Sequence, residues 1–431
     1  MYSIEQFGAV SNGTTLATKA IQSAIDTCHA NGGGRVLIPS GTYLTGSLFL
    51  KSNVELHLEH GAMLKASTDL SDYNAADAYA QNFGSVSEEW MAKHLIIAVE
   101  CQNVALTGDG VVDGSGDFFF EEPKFYPEHA WMSGYAWRNG ISFARDKTLL
   151  RPGQVVCMIE CENVTVTGIT IQNSPCWSLF LHGCEQVTVR GIKVLNPAYF
   201  GNSDGIDIDC CRYVTVSDCI IRTGDDAIAI RCDSKKLKKP CPCEYVTISN
   251  CTLSASACGI RVGVGYGVIR HVRVFGITIE NAGYGINYIT SYSARGCAEI
   301  EDVNFSDISI YNAGFPIQIK GEVGAVRNIS LENIRAYTLG GVRLVASGAC
   351  DISRVRMRDL DIHLIPDSLP LDEHRLQIRG DALLHLQGVH DVCLNGVRID
   401  VTPELLLSWK TALSQTECTN VQMKNCSLPT I

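Results

Sequence analysis

A short motif, x-Val-x-Val/Ile, recurs along most of the chain and restricts its fold more than any other feature. Clear copies are Asn163-Val164-Thr165-Val166, Gln186-Val187-Thr188-Val189, Tyr213-Val214-Thr215-Val216, Tyr245-Val246-Thr247-Ile248, His271-Val272-Arg273-Val274 and Asp302-Val303-Asn304-Phe305. Their first valines are 23, 27, 32, 26 and 31 residues apart. Weaker copies sit near Val54, Val104, Ile329, Val355, Val392 and Val421. Each clear copy leads into a second β-rich run, such as Gly168-Ile169-Thr170-Ile171. Alternating β-branched residues cut by Gly, Asn and Asp turns make short strands. A unit this small cannot bury its apolar face alone, so it must stack on its neighbours. The pattern predicts an all-β chain wound as a parallel β-helix. Coils lie about 4.8 Å apart, so equivalent positions form columns along the axis. A β-propeller needs a longer, more regular period, and a leucine-rich repeat needs a Leu-x-x-Leu-x-Leu signature that this chain lacks.

The cysteines keep the same register. Cys101, Cys161, Cys184, Cys211, Cys243 and Cys418 each stand three residues before the first valine of their coil, and Cys219, Cys251 and Cys426 stand five after it. Recurrence at fixed register reads as an interior ladder of small apolar side chains. Cys241-Pro-Cys243 is not a paired CxxC, and no metal site or other cofactor is expected.

The 431 residues would allow several domains, but a solenoid of this length is one, spanning 1–431. Residues 1–66 form the N-terminal cap and first coils. Within them Thr18 to His29 puts Ala20, Ile21, Ala24, Ile25 and Cys28 on one face before Gly32-Gly33-Gly34, which predicts a short helix plugging the open end of the stack. Residues 113–152 are an insertion rich in aromatics (Phe118, Phe119, Phe120, Tyr126, Trp131, Tyr135, Trp137), expected to wall one face. Residues 233–243, DSKKLKKPCPC, read as a solvated basic turn.

The net charge of −11 argues against nucleic acid or an anionic membrane as partner, since both need a basic footprint. No apolar run is long enough to span a bilayer. The N-terminal MYSIEQFGAV shows no secretion signal, and nineteen cysteines in a chain of this length point to reduced thiols, so a cytoplasmic location is expected.

One strand of each coil aligns on its inward Ile or Leu. In that frame Trp177, Asp204, Asp226, Cys258, Tyr284 and Phe315 form a column, with Asp225 beside Asp226. The next outward column reads Phe180, Asp207, Ala229, Arg261, Asn287 and Gln318. Asp204, Asp225 and Asp226 therefore crowd onto two adjacent coils. Like charges this close raise at least one pKa, leaving an acid beside ionised neighbours. Inverting glycoside hydrolysis needs such a set: an acid for the leaving oxygen and a base for the attacking water. Trp177 and Asp207 are candidates for contact with the same substrate, an oligosaccharide.

These segments resemble the polygalacturonase family of glycoside hydrolases (family 28), in its bacterial branch. The resemblance rests on IEQFGAVSNGTT at 4–15, GGGRVLIPSGTYLTGSLFLKSNVELHLEHGAML at 32–64, RPGQ at 151–154, NSPCW at 173–177, NSDGID at 202–207 and GDDAIAI at 224–230. It implies a right-handed parallel β-helix, a pectate-lyase-like solenoid, and action on α-linked pectic oligosaccharides. It assigns Asp225 as general acid and Asp204 and Asp226 as the base pair holding the water. Two features depart from the family pattern. Its Gly-His-Gly is Ala257-Cys258-Gly259 here, and the Arg-x-Lys that holds a uronate carboxylate is Asn287 and Ile289. Arg261 and Lys320, each about one rung from those positions, are the candidates for a substitute clamp. Without one, Asn287 and Tyr284 would serve a neutral sugar's hydroxyls and ring face. The aromatic insertion favours exo action on short oligosaccharides. The rival readings are a uronate lyase, which would want calcium carboxylates plus a basic residue, and a non-catalytic carbohydrate-binding β-helix.

Overall fold

The computed structural model describes residues 1–75, 90–121, 150–291, 296–367 and 379–431. Tyr126, Trp131, Tyr135 and Trp137 of the aromatic insertion lie outside them. Among the described residues, parallel strands gather into a 22-stranded and a 12-stranded sheet wound coil upon coil, a parallel β-helix. One coil shows the plan. Strand Ile206–Asp209 lies in the twelve-stranded sheet, and Arg212–Ser217 and Ile220–Thr223 lie in the larger one. Ile228–Cys232 then begins the next coil in register on Ile206–Asp209. From Val268–Glu280 onward the two strands of the larger sheet fuse into single long ones.

The repeat motif encodes the corners of each coil. The residue before the first valine sits in the left-handed region in coil after coil: Asn163, Gln186, Tyr213, Tyr245, His271, Asp302. A second left-handed position falls four residues after that valine, filled by Gly168, Asp218, Asn250 or Asp307. Gly, Asn and Asp tolerate this conformation best, which explains the turn residues. The first corner also stacks. Asn163 donates its amide to Asn103 at 2.8 Å, and Asn103 donates to Asn53 at 2.7 Å. Further on, Tyr213, Tyr245 and His271 stack face to face. These outward contacts help compensate for the unfavourable backbone at each bend.

Inside, Val164, Val187, Val214, Val246 and Val272 are buried. A slip of one residue would turn this whole column to solvent, which fixes the register. The cysteine ladder is buried at Cys101, Cys161, Cys184, Cys211 and Cys243, and half-buried at Cys418 in the last coil. Each buried thiol reaches a carbonyl of the preceding coil, as Cys184 does to Met158 at 3.3 Å and Cys211 to Leu181 at 3.3 Å. A thiol there fills a small space and supplies a weak donor.

The predicted cap forms over Thr18–Ala30, with Ile21, Ala24, Ile25 and Cys28 buried and Ala20 half-buried. It covers the first strand of the twelve-stranded sheet, Leu48–Phe49. The Gln22 side-chain amide donates to the Phe49 carbonyl at 3.0 Å and accepts from its N–H at 2.8 Å. A side chain thus takes the place of a missing neighbour strand. The basic loop differs from a purely solvated turn. Leu237 is buried against Gly183, and Lys238 reaches back to Glu100 at 2.7 Å. One apolar residue amid the lysines is enough to anchor it.

Candidate active site

The two predicted columns exist. Cys258 pairs with Tyr284 and Tyr284 with Phe315, while Phe180, Asp207, Ala229, Arg261, Asn287 and Gln318 run in register on successive rungs. The small residues between the columns have a specific cause. A Cβ on Gly205 would stand 2.3 Å from the Ala227 carbonyl, so the next rung leaves no room for a side chain. That close approach brings Asp204 and Asp226 onto adjoining rungs.

Asp204, Asp225 and Asp226 come together, with one carboxylate oxygen of each within 4.8 Å of the others. Asp204 and Asp226 are buried and Asp225 is half-buried. The loops hold them with backbone bonds. Asp225 accepts from the N–H of Asn202 at 3.2 Å and of Asp226 at 3.0 Å, and Asp226 accepts from the N–H of Cys258 at 3.0 Å. The RPGQ segment braces the same loops, since Arg151 donates to the Pro175 carbonyl and to Asn202 Oδ1. Burial pushes the Asp204 carboxyl well above its ordinary value, and the charges of Asp225, Asp207 and Asp226 add to it against the pull of Arg261. The crowding expected from sequence thus falls on Asp204.

The expectation for Arg261 needs correction. Its guanidinium turns back into the acids, with Nε on Asp226 Oδ2 and Nη2 4.0 Å from Asp204 Oδ2. It is buried and already ion-paired, so it is not a free clamp for a substrate carboxylate. Asp207 is fully buried and ion-paired to Arg231 at 3.4 Å. Burial lifts its pKa to about 7 although Arg231 and Arg261 oppose it. Trp177 is 9% exposed, packs edge-on against Phe180, and lies under the Arg231 guanidinium at 4.5 Å. One face of that ring is therefore occupied. Cys258 is buried, and its sulfur accepts from the Asn287 amide at 3.2 Å. Asn287 in turn accepts from Gln318 at 3.1 Å, so it is a braced part of the wall. Tyr284 is half-buried and stacks on Phe315, with ring centres 5.3 Å apart. Lys320 is exposed, one rung on from Ile289.

Sequence reasoning missed three residues. Arg231 and His182 flank buried Asp209. Burial would raise that carboxyl, but His182, Arg231 and the Asp233 N–H outweigh it and hold it well below the ordinary range. Arg343 extends the outward column one rung past Gln318. Carrying the inward alignment on to Val342 would have found it.

The glycosyl hydrolases family 28 profile matches residues 28–323 of this chain. A probable polygalacturonase of Vitis vinifera is 24% identical over 74% of this chain and 70% of its own length. An exo-poly-alpha-D-galacturonosidase of Dickeya chrysanthemi is 29% identical over 52% of this chain and 41% of its own. Among solved structures, the Yersinia enterocolitica family 28 exopolygalacturonase superposes with a TM-score of 0.70 at 18% identity, covering 98% of this chain and 77% of that one. The Thermotoga maritima exopolygalacturonase gives 0.63 at 23%, covering 97% and 91%. These superpositions agree with the parallel β-helix, and the profile spans the coils that carry all three clustered acids: the chain belongs to glycosyl hydrolases family 28 and is a glycosidase.

Proposed function

We propose that the enzyme is a polygalacturonase-like hydrolase of the bacterial branch, acting by inversion on α-linked pectic oligosaccharides from a chain end. The convergence of Asp204, Asp225 and Asp226 around one arginine carries this reading. Asp225, the accessible member, donates the proton to the leaving glycosidic oxygen. Asp226, ion-paired to Arg261, takes the proton of the attacking water, and Asp204 holds that water from the adjoining rung. The closest oxygens of the three acids lie within 4.8 Å. That is tighter than the ~6.5–9.5 Å between the carboxyl groups of most inverting pairs. What supports inversion is the family resemblance. The register of the cysteines supports a reducing, cytoplasmic site of action, where short imported oligosaccharides would be the substrates.

The test is hydrolysis of pectic oligosaccharides and aryl glycosides, with the anomer of the first-formed product read by NMR. The reading expects release of terminal sugars with inverted configuration. Retained configuration would overturn the assignment of roles, and unsaturated products would favour a lyase.

A further inference from the structure

The outward column past the acids carries Arg343 and runs on to His385. Arg343 stands two rungs beyond Asn287, paired in register with Gln318. Its guanidinium lies over the Phe315 ring at 4.7 Å, and the other partner of that ring is Tyr284. Tyr284, Phe315 and Arg343 thus make a row of three flat groups on consecutive rungs of the face that carries the acids.

The two other arginines of this face are committed, Arg231 to Asp207 and Asp209 and Arg261 to Asp226. Among the described residues Arg343 has neither a carboxylate partner nor a hydrogen bond. Burial lowers its pKa, and only the Tyr284 hydroxyl opposes this. A guanidinium partly withdrawn from water with its five donors unspent is costly to the free protein. An anion that brings two coplanar oxygens would satisfy it bidentately. Lys320 is exposed one rung earlier in the neighbouring outward column, the column of Ile289.

We propose that Arg343, assisted by Lys320, binds the carboxylate of a uronate residue remote from the scissile bond, with the sugars between passing over the half-exposed edge of Tyr284. This rests on the pectic-hydrolase reading above and supplies its charge recognition. The acids and Arg343 are four rungs apart along Asp226, Cys258, Tyr284, Phe315 and Arg343, about 19 Å of axis at 4.8 Å per rung. A glycan laid along that axis advances about one sugar per rung, so the carboxylate held by Arg343 belongs to a sugar that is not cleaved. The outward position is filled by the ion-paired Arg261 on one rung and by the braced Asn287 and Gln318 on the next two. Arg343 is the first in that column with donors to spare.

The experiment compares wild type, Arg343→Met and Arg343→Lys on a galacturonate oligosaccharide and on its fully methyl-esterified counterpart. Methionine keeps the stem on Phe315 and removes the charge. KM for the acidic substrate should rise about tenfold or more with kcat nearly unchanged, as expected for lost charge-assisted binding away from the reacting bond. Kinetics on the ester should stay at wild-type values, which also certifies the fold. Arg343→Lys should recover part of the acidic-substrate KM. If the methionine variant does not fold, the lysine variant must still show a loss selective for the acid. Equal effects on both substrates, or no effect on either, overturn the proposal and leave the hydrolase reading standing. No turnover of either substrate by wild type overturns both.

Discussion

Arg261 and Asp226 stand on adjacent coils, and the guanidinium of the first lies directly on the carboxylate of the second. The positive charge of the acid group therefore belongs to the protein. Replacing Arg261 by Met should leave Asp226 and Asp204 buried without that charge. Breaking a buried pair by removing one partner costs about 3–5 kcal/mol. Urea denaturation should show a loss of that order, and kcat/KM should fall alike on charged and methyl-esterified substrates. A loss confined to the charged substrate would return Arg261 to the role of clamp.

Asp225→Asn removes the only half-exposed carboxyl of the three and keeps its shape. General acid catalysis contributes about 10²–10⁴-fold, so kcat should fall by that range while the melting temperature holds. Near-normal turnover would exclude Asp225 as proton donor.

Asp207 has a folded pKa of about 7, raised from 3.8. The folded state thus binds this proton more tightly than the unfolded chain does. Its contribution is complete below about pH 4 and is lost as pH rises toward 7. Asp209 is shifted down, so its contribution is intact at neutral pH and lost only in acid. The melting temperature should fall between about pH 4 and pH 7, and Asp207→Asn should flatten that slope. An unchanged slope in the variant would contradict the assignment to Asp207.

The laddered thiols spend themselves on carbonyls of neighbouring coils, as Cys161 does on Ala98 at 3.5 Å. Titration of protein denatured without reductant should find close to nineteen free thiols. Native protein should react slowly at the buried positions. Several missing thiols would mean disulfides, and would remove the support for a reducing location.

The strands and the acid cluster were readable because a strand alternates with period two and the coils stack in register. Once Ile206 and Ile228 are aligned, Asp204 and Asp226 must be neighbours. The direction taken by Arg261 was not readable. Its backbone position follows from the same alignment, but a long side chain can lean along the axis either way, and the buried negative charge decided it. Arg343 was lost for a different reason. Gly340-Gly341 interrupts the pattern before it, and Gly340 is there because the Phe315 ring takes up its side-chain space, a Cβ meeting that ring at 2.4 Å. The basic loop is exposed at Lys235, Lys238 and Lys239 as expected, and its anchoring was not readable because Leu237 is a single apolar residue among them.

The in-register columns turn distance along the axis into a count of coils. Inserting or excising one complete coil between Asp226 and Phe315 would translate everything beyond it by about 4.8 Å and leave both local environments unaltered. Adding one residue within a strand would instead reverse which side chains face the ligand. A chain built this way can lengthen or shorten the segment of glycan it measures by whole units, independently of the chemistry at the acids.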